Sequence, residues 1–116
     1  MAGFRRGGRG RLAPVRRGEV WIVGSRVSGR DQYVLIVGND LLVESLGSVI
    51  TVGVEAGEAF AGASMVTVQL TQPFEGTVRA HWVTTVRKDR FERMVGMVDR
   101  HTMDVVDAAL RAALDL

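Results

Sequence analysis

The sequence predicts a mainly β domain with helices, a small and strongly bent sheet or open barrel closed by a C-terminal α-helix. Three patterns predict it. Short apolar runs recur from residue 19 to residue 98 with the two-residue period of strands, and glycine, asparagine, aspartate or proline separate most of them. Only the last stretch, from about Arg100 to Leu114, carries the period of a sustained helix.

Taken in order, Glu19 to Val23 (EVWIV) reads as the first strand. Gln32 to Val37 (QYVLIV) is apolar on both faces and so belongs in the middle of the sheet. Gly24 to Asp31 joins them through glycine and serine. A short helical turn is expected at Asp40 to Ser45. Ser48 to Glu55 follows as a third strand, with Ile50, Val52 and Val54 on one face and Thr51, Gly53 and Glu55 on the other. Ala56 to Ala63 is small and glycine-broken, the composition of a loop. Met65 to Thr71 alternates cleanly, and Pro73 turns the chain into Thr77 to Thr85 (TVRAHWVTT). Strict alternation there places Val78, Ala80 and Trp82 on one face, with Trp82 and Trp21 expected in the core, and Arg79 and His81 on the other. A helical turn over Lys88 to Glu92 and a strand over Met94 to Val98 precede Asp99, which stands where a helix N-cap belongs. The final helix is expected to bury Met103, Val106, Leu110 and Leu114, and to carry an outward Asp107–Arg111 pair.

The chain of 116 residues is one domain by length and has no cysteine, which excludes disulfides and thiolate chemistry. No apolar run nears the roughly 20 residues a bilayer requires, so a soluble, cytoplasmic protein with no membrane partner is the expectation. Charge divides the chain. Residues 1–17 hold six arginines and no acid, whereas residues 18–116 hold nine basic against thirteen acidic groups, a net of −4. Residues 1–14 are accordingly expected to form a disordered Arg/Gly-rich tail, and residues 15–116 the folded domain. A mildly acidic body does not attract nucleic acid generally, so RNA contact must come from a local basic patch or from the tail.

The chemistry-bearing stretch is Val78-Arg79-Ala80-His81. On one strand face a fixed cation and a titratable imidazole stand roughly 7 Å apart at Cα, within reach of a single phosphate. Glu55 supplies a carboxylate if the third and fifth strands share that face. Together they would place a fixed cation and proton-transfer groups around one phosphate. No metal-ligand spacing and no phosphate-cradling glycine loop is present, so no cofactor is expected.

The segments RRGEVWIV, YVLIVGND, GTVRAHWVTTVRKDRF and VGMVDRHTMDVVDAALRAALDL resemble the MazF/PemK toxin endoribonucleases, the group that includes Kid, over about residues 15–116. The resemblance implies an SH3-like open barrel of the MazF/CcdB type and a homodimer. It also implies the toxin role in a type II toxin–antitoxin system, metal-independent cleavage of single-stranded RNA (mRNA or tRNA), and a cognate antitoxin whose tail lies in the RNA groove. Two positions depart from the MazF branch. Its second strand begins Arg-Pro where this chain has Gln32-Tyr33, and its third strand closes on threonine where this chain has Glu55. The Kid-like branch writes Val-Arg-Cys-Asp in the fifth strand; here Arg79 is kept and His81 stands for the carboxylate. The candidate catalytic residues are therefore Arg79, His81 and Glu55. The candidate RNA-binding residues are Arg30, Gln32, Thr51 and Arg87, with Arg30 reaching in for the missing arginine. The substitutions at Gln32 and Glu55 keep a second reading open, a catalytically inactive binding module acting on an antitoxin or operator.

Overall fold

The computed structural model describes residues 14–24, 31–57 and 64–116. Arg30, residues 1–13 of the expected 1–14 tail and most of the two loops after the first and third strands lie outside the described residues. The described residues form six strands: β1 (Glu19–Gly24), β2 (Asp31–Ile36), β3 (Ser48–Ala56), β4 (Thr67–Leu70), β5 (Gly76–Arg87) and β6 (Phe91–Met97). A short helix α1 (Asp40–Ser45) precedes β3, a 3-10 turn (Lys88–Arg90) precedes β6, and α2 (Arg100–Leu114) ends the fold.

All neighbours pair antiparallel in the order β4-β5-β3-β2-β1-β6, one bent sheet that does not close on itself. Its two ends nevertheless approach each other. Pro73, in the β4–β5 turn, sits so close to Gly96 of β6 that a Cβ on Gly96 would lie 2.4 Å from the proline ring. The barrel is thus open along its wall and pinched at this rim.

Because the central strands are apolar on both faces, the sheet carries two cores. On the inner face Val20, Leu35, Val52, Val54, Val68, Leu70, Val78 and Ala80 meet Met103, Val106 and Ala109 of α2. Each large side chain removed from water there contributes about 1.5–3 kcal/mol. The outer face holds a smaller cluster, in which Trp21, Val23, Val34, Ile36, Val49 and Phe91 pack with Val43 of α1 and with Val15.

The capping aspartate acts as the sequence suggests: the Thr102 amide donates to the Asp99 carboxylate at 2.7 Å, which holds that carboxyl below its ordinary range. Other expectations need correction. Leu114 is exposed, so the buried stripe of α2 runs through Met103, Val106 and Ala109 with Leu110 partly covered. Asp107 does not face outward toward Arg111. It takes both terminal contacts of Arg17 Nη2, at 2.7 and 2.5 Å, while Arg17 Nη1 donates to the Val37 carbonyl and the Arg17 amide to Asp40. One arginine thereby ties α2 to the end of β2 and the start of α1. It stands beside Gly18, whose φ of +90° is strained for any residue with a side chain. The last strand starts at Phe91 rather than Met94, because Phe91 pairs with Val23 and completes the outer core.

Candidate functional site

The site is made by a fault in strand register. Arg79 of β5 pairs with Gly53 of β3, yet the next partner along, Val52, pairs with Val83. One step on β3 is matched by four on β5, so Ala80, His81 and Trp82 are extra residues that bow out of the ladder. Ala80 stays buried, its amide donating to the Val66 carbonyl at 2.8 Å. His81 and Trp82 are turned into solvent. The alternation that would bury Trp82 fails at this point, and its side chain is 45% exposed; Trp21, by contrast, is a core residue at 7%.

Gly53 permits the arrangement. A Cβ at that position would lie 2.6 Å from Trp82 Cε3 and 3.2 Å from Trp82 Cβ, so the indole rests where another residue's side chain would begin. The Arg79 guanidinium carbon lies 5.0 Å from the indole centroid, and the His81 ring stands edge-on to the same indole at 5.9 Å. Trp82 is therefore the common neighbour of the cation and the imidazole.

Glu55 joins them from β3. It lies on the outer face with Thr51 and Gly53, and its carboxylate Oε1 accepts from Arg79 Nε in a half-buried ion pair. Among the described residues the terminal nitrogens of Arg79 make no hydrogen bond, so the fork that suits a phosphate is left available. Beside the pair opens a groove of about 410 Å³ lined by Gln32, Tyr33 and Val34 of β2, Gly53, Val54 and Glu55 of β3, and Trp82, Val83 and Thr84 of β5.

Of the residues singled out by sequence, Gln32 and Glu55 line one groove, Arg79 joins it through its contacts with Glu55 and Trp82, and His81 stands against Trp82. Two others do not belong to it. Thr51 is fully buried and its hydroxyl donates to the Thr84 carbonyl at 3.2 Å, so it supports the groove from beneath instead of offering a contact to RNA. Arg87 pairs with Asp89 at 2.9 Å and sits opposite Ser48, seven residues along β3 from Glu55 and so roughly 23 Å away. Trp82, Tyr33 and Thr84 are groove residues that sequence reasoning missed. Among the described residues no cluster of three potential metal ligands occurs, and no helix is long and apolar enough to cross a membrane.

An antiparallel open barrel with a C-terminal helix and an arginine–carboxylate pair beside an open groove defines the class as a small open β-barrel protein. The family model for PemK-like, MazF-like toxins of type II toxin–antitoxin systems matches residues 16–114, and the chain belongs to that family. No curated protein matches it in sequence. Among solved structures it is similar to an endoribonuclease in complex with its cognate antitoxin from a mycobacterial species, with a TM-score of 0.77 at 25% identity, covering 88% of this chain and 96% of that one. A second mycobacterial endoribonuclease superposes with a TM-score of 0.78 at 24% identity, covering 90% and 95%. A MazE–MazF complex from Deinococcus radiodurans gives 0.73 at 14% identity, covering 90% and 98%. The last two carry the fold alone.

Proposed function

We propose that this toxin is a metal-independent endoribonuclease that cleaves single-stranded RNA, with Glu55, Arg79 and His81 as its catalytic residues. The observation that carries the reading is the Glu55–Arg79 pair at an open groove, with His81 and Arg79 both against Trp82. Glu55 takes the proton from a ribose 2′-OH as that oxygen attacks the neighbouring phosphorus. The terminal nitrogens of Arg79 hold the nonbridging oxygens as negative charge builds on the phosphorane. The bond from phosphorus to the 5′-oxygen breaks, and that oxygen takes a proton from the His81 imidazolium. The products are a 2′,3′-cyclic phosphate and a 5′-hydroxyl, and no step requires a metal. A homodimer and an antitoxin that competes for the groove complete the proposal, supported by the family and by the similar toxins seen with their antitoxins.

The test is cleavage of single-stranded RNA in EDTA by the purified protein, with mapping of the new ends. Cyclic phosphate ends, lost with Arg79→Ala or His81→Ala, support the assignment; cutting that survives both changes refutes it. A second reading has its own observation. Glu55 and Arg79 neutralise one another, and Gln32-Tyr33 replaces the Arg-Pro of the MazF branch, as a binding module without catalysis would allow. Uncut RNA or antitoxin held tightly by the wild-type protein would favour it.

A further inference from the structure

We infer that the Trp82 indole is a stacking platform for one unpaired nucleobase of RNA, the base adjoining the phosphate that Arg79 holds, and that the groove beside it is that base's subsite. The inference deepens the ribonuclease reading and rests on it.

Core packing does not account for Trp82. The other tryptophan shows what burial looks like in this fold: Trp21 stands edge-on to Phe91 and donates its ring N–H to Glu19. Trp82 is instead carried outward by three extra residues, and a glycine beneath it makes the room. A large ring left nearly half exposed beside a cleft needs a reason, and an incoming π-system supplies one.

The cleft matches such a ligand in size and chemistry. Its 410 Å³ falls within the range of small-ligand pockets. Val34, Val54 and Val83 give apolar walls, while Gln32, Glu55 and Thr84 bring donors and acceptors to the rim. A nucleobase has apolar faces and polar edges in the same arrangement. The neighbouring cation fixes the choice: a nucleotide carries an anion a few ångströms from a π-face, and here a guanidinium lies 5.0 Å from an indole. An acidic peptide would satisfy Arg79 but leave the indole without a stacking partner. Stacking is sequence-tolerant, so Trp82 supplies affinity; the Gln32 amide, able both to donate and to accept, supplies discrimination among bases.

The experiment uses the full chain and 2′-O-methyl single-stranded oligonucleotides, which lack the attacking hydroxyl and are not cut. Binding is read by anisotropy of a labelled oligonucleotide and, separately, by indole emission compared between wild type and Trp82→Phe. The expected result is saturable quenching of the Trp82 part of the emission, at the concentration where anisotropy rises. Affinity should fall about 5- to 150-fold in Trp82→Ala and stay within about threefold in Trp82→Phe. An oligonucleotide made abasic throughout should bind wild type and Trp82→Ala alike. Binding by anisotropy with Trp82 emission unchanged and Trp82→Ala unimpaired overturns the platform and leaves the ribonuclease reading intact. Absence of any binding to the folded wild-type protein overturns both.

Discussion

On the inner face of the sheet, Leu35, Val52, Val54 and Val78 share one buried core with α2, whereas on the outer face of the same strands the three-residue slip between β3 and β5 leaves a half-buried cation beside an exposed imidazole and a half-exposed indole. The strands are shared, so the contrast isolates what each face is for. The inner face keeps its side chains buried across the slip, Ala80 included. The slip gives up three pairings between β3 and β5 and, on the outer face, the burial of a tryptophan, concessions that stability alone would not select and that the proposed binding groove explains.

The largest expected effect lies on the inner side. Leu35→Ala, at a fully buried position, should lower unfolding free energy by about 2–5 kcal/mol in denaturant melts, while RNA cleavage by the fraction still folded is unchanged. Arg79→Ala should do the reverse, slowing cleavage about 10²- to 10³-fold with a melting temperature close to wild type. A large loss of stability in that variant would mean that the two faces are not separable. Gly53→Ala pushes the indole from its seat without altering any charged group; oligonucleotide affinity should fall about tenfold, and the emission maximum of Trp82 should shift. Asp107→Asn weakens the tie made by Arg17 and should cost about 1–2 kcal/mol of stability with cleavage intact, since the pair is far from the groove in sequence and contacts none of its lining.

The smallest effect is one of pH. The Asp99 carboxyl is held below its ordinary value by the Thr102 amide, so its contribution is complete above the unfolded value near 3.8 and is lost as pH falls through the lower folded value. Wild type should therefore exceed Asp99→Asn in melting temperature at neutral pH, and the two should converge in strong acid. A gap that persists unchanged to pH 2 would mean that the cap does not act through its charge.

The sequence carries most of the architecture, because apolar periodicity is a local property. The doubly apolar Gln32–Val37 run lies among the inner strands, the alternating faces of Ser48–Glu55 sort as expected, and Asp99 caps its helix. The groove was legible only through Arg79, Glu55 and Gln32. Arg79 and Glu55 meet because Gly53 stands opposite Arg79, and nothing within TVRAHWVTT reveals that its alternation breaks after Arg79. The slip depends on a residue 26 positions earlier and on the Val66 carbonyl that receives the Ala80 amide. Asp107 was misread for the same reason: its helical neighbour Arg111 is visible in sequence, whereas Arg17, 90 residues away, is not.

The single bond from Arg79 Nε to Glu55 has one more effect. A solvent-facing arginine samples many rotamers and must surrender that freedom when it grips an anion, at roughly 1–2 kcal/mol for so long a side chain. Here the carboxylate and the indole have already narrowed those rotamers during folding. On the proposed reading, an arriving phosphodiester meets a fork that is aimed before contact, and the binding step is relieved of the ordering that a mobile cation would impose on it.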